Sequence, residues 1–134
     1  MKAKNQFLQD ARKEFRYLET EFHFNFIDRE SDWWSHDINY KNGGIQIRIS
    51  FQHYDNLFYI YITKTNVISN SKILPEKIDT DFENEINFTQ QLYGIKSIDK
   101  NKLSPIGHSN YSETMKYQAK LLKEYGKHYL INKM

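Results

Sequence analysis

By type, the residues of this chain best suited to hold a metal ion or move a proton are five histidines: His23, His36, His53, His108 and His128. None stands two, three or four residues from another, the spacings that bring two imidazoles to one side of a strand or helix. A two-residue turn at Asn42-Gly43 sets Ile49 opposite His36, four residues from His53. Four strand residues span about 13 Å, too far for one ion bonded at about 2 Å. The histidines read as separate surface or boundary residues. They imply no metal and no cofactor.

Nucleophilic chemistry has no better footing. The chain has no cysteine, no Gly-x-Ser-x-Gly, and no glycine-rich loop leading from a strand into a helix. Asn42-Gly43-Gly44 lies between two alternating runs, so its glycines serve a hairpin turn rather than a phosphate. The carboxylate pairs Asp79 with Asp81 and Glu83 with Glu85 fall where a helix is expected to start, and the backbone dipole favours negative charge there. No catalytic set emerges, and the expectation is a protein that is not an enzyme.

A more productive constellation is the polar face of the central sheet. Ile45, Ile47, Ile49 and Phe51 alternate with Gln46, Arg48, Ser50 and Gln52, and a turn at Asp55-Asn56 leads into Leu57 to Thr63. The resulting register pairs Ile38 with Ile47, Ile49 with Ile62 and Phe51 with Ile60. It sets Asp37 opposite Arg48, Gln52 opposite Tyr59 and Ser50 opposite Tyr61. One face is then Ile38, Tyr40, Ile45, Ile47, Ile49, Phe51, Phe58, Ile60 and Ile62. The other is Asp37, Asn39, Lys41, Gln46, Arg48, Ser50, Gln52, Tyr59, Tyr61 and Thr63. Sliding a turn symmetrically keeps these faces, because strand side chains alternate.

Arg48, Gln52, Tyr59 and Tyr61 form a candidate partner-binding set. Adjacent aromatics beside a guanidinium can stack single-stranded bases, and Tyr and Arg are equally favoured at protein hot spots. Asp37 partly neutralises the patch and disfavours nucleic acid. The plainer reading makes the tyrosines ordinary residues of a solvated face, or of one covered by the 64–76 loop. Trp33 and Trp34, adjacent in a polar loop from Asp28 to Ser35, are a second candidate anchor, since both cannot readily point into one core. Their plainer reading is that both cap the open end of the core.

These side chains need a scaffold, and the periodicities supply one. Leu8, Ala11, Phe15, Leu18 and Phe22 recur every three or four residues, predicting a helix over 4–21. Phe22, Phe24 and Phe26 then switch to strand alternation. After an irregular stretch closed by Pro75, Thr80 and Glu83 make a capping-box pattern before Phe82, Ile86, Thr89 and Tyr93, with Gly94 as the stop. The stretch Lys96 to Ser109 reads as a loop. A last helix begins near Asn110, with Met115, Ala119, Leu122 and Tyr129 inward, Tyr125 as a further candidate for that stripe, and Gly126 as a candidate early end. The expected fold class is α+β: a four-stranded antiparallel meander with helices on one face, in the order α-β-β-β-β-α-α, in a single domain over 1–134.

Composition bounds the function classes. At 134 residues with 39% hydrophobic and 16% aromatic content, the chain can bury roughly two thirds of its unfolded surface without a metal or disulfide. A net charge of +2 is small for a dedicated nucleic-acid binder. The basic opening Met1-Lys2-Ala3-Lys4 is followed by mixed polar and apolar residues, with no apolar run of signal or membrane-span length. A cytoplasmic location without a membrane partner is expected.

The start Lys13-Glu14-Phe15-Arg16-Tyr17-Leu18-Glu19, the hairpin from Ile38 to Ile49 and the ending Leu121-Leu122-Lys123-Glu124-Tyr125-Gly126 resemble small uncharacterised bacterial proteins. Those proteins accompany polymorphic and contact-dependent toxin systems as immunity proteins. The resemblance implies a rigid, non-catalytic inhibitor whose partner is a cognate toxin protein. It carries over no functional residue, because each such protein presents its own surface. Inhibitors of nuclease toxins often carry strong negative charge, so at +2 the toxin is expected not to be a nuclease, or to be bound away from its active cleft.

Overall fold

In a computed structural model, the described residues are 2–31, 35–52, 57–64, 85–103 and 112–131, with backbone alone for 2–5 and 28–31. They form an α+β fold. In chain order the elements are α1 (Lys2–Glu14), α2 (Arg16–Thr20), β1 (Asn25–Ser31), β2 (His36–Asn42), β3 (Ile45–Gln52), β4 (Leu57–Lys64), β5 (Glu85–Asn87), α3 (Phe88–Leu92), α4 (Ser112–Tyr125) and α5 (Lys127–Leu130). A 3₁₀ turn, Lys100–Lys102, lies between α3 and α4. The sheet is an antiparallel meander of five strands, β1-β2-β3-β4-β5, rather than the expected four.

The faces of the central strands follow the alternation. Ile38, Tyr40, Ile45, Ile47, Ile49, Phe51, Phe58, Ile60 and Ile62 are all buried. Each aliphatic side chain so buried contributes roughly 1.5–3 kcal/mol. Both expected registers slip by two residues. Ile38 pairs with Ile49 and Ile47 with Ile62, while Phe51 pairs with Phe58. The β2–β3 turn is Gly43-Gly44 rather than Asn42-Gly43, with Gly43 at φ 58°, and Asn42 pairs with Ile45. Asn42 instead donates from Nδ2 to the Phe22 carbonyl at 3.0 Å, tying the hairpin to the end of the helical region.

Phe7, Ala11, Phe15 and Leu18 bury the inner stripe of the N-terminal segment against the aliphatic face, where the Phe7 ring meets Phe51 at 5.9 Å and Phe58 at 6.5 Å. The expected single helix is broken at Phe15, whose backbone (φ −101°, ψ 19°) leaves the helical region. His23, at φ 61°, then reverses the chain, and the Phe24 N–H closes onto the Leu18 carbonyl at 2.8 Å. The strand that follows extends through Ser31, into residues expected to be loop, with a bulge between Phe26 and Asp28.

The expected helix with Phe82, Ile86, Thr89 and Tyr93 on one side is also corrected. Glu85–Asn87 is a strand paired with β4, and the helix begins at Phe88, capped by the Asn87 side chain, which accepts from the Gln90 N–H at 3.0 Å. Thr80 and Glu83 lie outside the described residues. Strand pairing to β4 stops at Tyr61–Asn87, and side chains take over the next polar groups of that edge. The Ile60 N–H donates to Thr89 Oγ1 (2.9 Å), and the Thr89 hydroxyl donates to Gln118 Oε1 (2.6 Å). Gln118 Nε2 in turn donates to the carbonyls of Phe58 (3.1 Å) and Leu103 (2.6 Å). Both side chains are buried, so this network satisfies groups that would otherwise cost about 1–3 kcal/mol each.

Met115, Ala119 and Leu122 are buried as expected, joined by Leu121 and Leu130, while Tyr125 is exposed. Gly126 does end α4, and helix resumes one residue later as α5. The Tyr17 hydroxyl donates to the Ala119 carbonyl at 2.5 Å and so joins the two helical regions. No described helix is long and apolar enough to cross a membrane.

Candidate functional site

The second face of the sheet is assembled from three cross-strand rows. Asn39, Arg48, Tyr61 and Asn87 form one; Asp37, Ser50 and Tyr59 a second; Lys41, Gln46, Thr63 and Glu85 a third. Alternation alone puts them together, because a polar side chain at every second position of strands whose other positions are aliphatic must share one side.

Arg48 is the centre of this face. Its Nη2 donates to Glu85 Oε2 at 2.9 Å, reaching past β4 to β5, and its Nη1 lies 3.8 Å from Asp37 Oδ2 on β2. Its guanidinium carbon stands 4.4 Å from the centroid of the Tyr61 ring, a cation–π distance. Tyr61 in turn packs on Tyr59, with ring centroids 5.9 Å apart. The expected proximity of Asp37 and Arg48 is present, but along a diagonal. The residue directly opposite Asp37 is Ser50, and the one opposite Arg48 is Asn39.

Solvation divides the face. Asn39, Lys41, Gln46, Ser50 and Thr63 are buried, so it is not the uniformly solvated surface of the plainer reading. Arg48, Gln52, Tyr59 and Tyr61 are partly exposed. Burial pushes the Tyr61 phenol above its ordinary pKa, with Arg48 opposing that rise and Tyr59, Glu85 and Asp37 adding to it. Tyr61 is therefore a neutral hydroxyl at physiological pH. Gln52 pairs with Leu57, not Tyr59, at the edge of the cluster. Trp33 and Trp34 lie outside the described residues, as do 65–84, which include most of the loop considered as a cover.

Glu85 is the residue of this face that its sequence context misplaces: the spacing predicts a helix start, and Glu85 instead clamps Arg48 from a strand. Asn87 and Gln90 have the same cap spacing as Thr80 and Glu83, and that signal would have moved the helix start past Glu85.

The histidines do not converge among the described residues. His23 and His128 are exposed, and His36 stands 5.7 Å from the Phe7 ring. The observed register moves the partner of His36 from Ile49 to Phe51, two residues from His53 rather than four. His53 and His108 lie outside the described residues. Among the described residues no group of three or more His, Cys, Asp or Glu is placed to hold a metal ion.

Compared with protein-family models, with curated proteins and with solved structures, the chain matches none.

Proposed function

We propose that the protein is a non-catalytic binding protein and, in keeping with the resemblance of its hairpin and C-terminal motifs, an immunity protein. In this reading it neutralises a cognate bacterial toxin in the cytoplasm by direct protein–protein contact. The observation that carries the binding role is the Arg48–Tyr61–Tyr59 cluster: a guanidinium and two aromatic rings, partly exposed and held in fixed geometry on a rigid sheet. Such anchors lose little side-chain freedom on binding and dominate the energetics of protein interfaces.

The two carboxylates on Arg48 support a protein partner over nucleic acid. Asp37 and Glu85 together outweigh its single positive charge. With Lys41 on the same face the charges only balance, so a phosphate backbone would meet no net positive charge, which disfavours the alternative of a small nucleic-acid-binding module using the same Tyr/Arg face. A protein surface can satisfy the tyrosine hydroxyls and cover the rings. Trp33 and Trp34 are proposed as further anchors.

Co-expression with the product of the neighbouring gene, the proposed toxin, tests this reading. The intact chain protects growth and co-purifies with the toxin in a stoichiometric complex, and Tyr59→Ala loses both. Neither complex nor protection with the intact chain would end it.

A further inference from the structure

The small net charge of the chain hides a segregation. Residues 96–134 carry eight lysines against three carboxylates, whereas residues 1–95 carry eleven basic against fourteen acidic groups. The structure concentrates part of that excess on one helix. Met115, Gln118, Ala119 and Leu122 bury the inner face of α4 and so fix its rotation, leaving Lys116, Lys120 and Lys123 exposed. At 3.6 residues per turn these three lie within about 60° of arc over about 10 Å of helix. Lys127, the first residue of α5, follows at the next four-residue step and is also exposed.

The helix dipole favours Lys123 in the last turn of α4 but does not account for Lys116 and Lys120 in this ridge. Like charges three or four residues apart destabilise a helix, and although Glu113 and Glu124 stand three or four residues from Lys116, Lys120 and Lys127, they close no ion pair with them. Among the described residues, Lys116, Lys120 and Lys127 make no ion pair with Glu113, Glu124 or any other carboxylate. Lys123 alone is paired, with Glu21 at 2.7 Å, and it also lies 5.4 Å from the Tyr17 ring. That contact anchors one point of the ridge to α2 and leaves its neighbours uncompensated.

We propose that this ridge docks an acidic protein segment: an element presenting carboxylates in a single row, separate from the Tyr/Arg face. Its width argues for a protein over nucleic acid. Glu113 and Glu124 lie about 20° and 40° from Lys120 round the helix, both on one side of the row. A duplex, with one charge per ~1.7 Å of axis, would press phosphates against both glutamates, whereas a single row of carboxylates would not. Lysine also suits a row of separate carboxylates, being a flexible point charge with no bidentate geometry to meet.

The test uses the full chain and two fluorescent probes, a helical peptide with glutamates at i, i+4, i+7 and i+11, and a random-sequence DNA duplex. The peptide is expected to bind, to weaken as salt is raised, and to lose at least tenfold in affinity to the triple variant K116Q/K120Q/K127Q. Lys64→Gln, an exposed lysine off the ridge, leaves binding unchanged, and far-ultraviolet circular dichroism shows every variant folded. Absence of peptide binding, binding unaltered by the triple variant, or tighter duplex binding carried by the same lysines would each overturn the proposal.

Discussion

The guanidinium of Arg48 on β3 reaches Glu85 on β5 at 2.9 Å, spanning the strand between them and closing over the ring of Tyr61. One ion pair thereby fixes the three-residue fifth strand to the centre of the sheet and sets the orientation of the proposed anchor. Both side chains retain some exposure, 25% and 16%, so the pair ranks between surface and fully buried bridges. Glu85→Gln, which keeps the shape and removes the charge, is expected to cost about 1–2 kcal/mol in chemical denaturation. In a double-mutant cycle with Arg48→Met, the coupling should be positive. Zero coupling would show that the two charges act independently.

Gln118 is the more consequential residue for stability. It has no exposed surface and bonds Thr89, Phe58 and Leu103 at once. Gln118→Leu conserves volume but orphans two carbonyls and the Thr89 hydroxyl proton, which should cost about 3 kcal/mol or more. The urea midpoint measures this. A loss under about 1 kcal/mol would mean that water or relaxation replaces the network.

Two glycines make a matched steric comparison. A Cβ at Gly126 would meet Leu122 Cδ1 and the Leu122 carbonyl oxygen at 2.8 Å and Phe88 Cε1 at 3.0 Å. Gly126→Ala should therefore lower the thermal midpoint, at a cost of about 1–3 kcal/mol. At Gly94 the nearest atom is the Gln91 carbonyl oxygen at 3.4 Å, ordinary contact, and Gly94→Ala should stay within about 0.5 kcal/mol of the parent.

Alkaline pH should unfold the protein through its buried tyrosines. Burial raises the pKa of Tyr17, with Tyr40 and Glu21 adding to the rise. Burial also raises Tyr40, where Glu19 adds and Arg12 opposes. Because the folded state holds these phenols neutral, their contribution is fully present below the unfolded pKa of about 10 and is lost as pH climbs towards the folded values. Stability should be level to about pH 9.5 and fall above it. Tyr17→Phe together with Tyr40→Phe should flatten the fall, at the expense of the Tyr17 bond to Ala119. A decline equally steep in the double variant would assign it to other groups.

The faces of the sheet were legible because the alternation at Ile45, Ile47, Ile49 and at Phe58, Ile60, Ile62 is a sustained period-2 signal. The register was not. Both Asn42-Gly43 and Gly43-Gly44 offer a residue that tolerates positive φ, and the choice between them slides the hairpin by two residues without changing either face. The fifth strand was hidden for a different reason. Ile86, Thr89 and Tyr93 keep helical spacing with Phe82, and three residues are too few for alternation to compete. The break at Phe15 has no local signal, since its side chain stays on the buried stripe while its backbone leaves the helix. Arg48, Tyr59 and Tyr61 could be grouped from sequence because they sit within two strands. Glu85 could not, because its contact spans 37 residues of chain.

Isothermal titration of the purified chain with the product of the neighbouring gene, the proposed toxin, tests the central claim most directly. The account predicts one-to-one binding that Tyr59→Ala weakens by roughly thirtyfold or more, the size of a hot-spot loss, while the variant's own unfolding midpoint stays close to the parent's. Undetectable binding by the intact chain, or binding that Tyr59→Ala leaves unchanged, would contradict it.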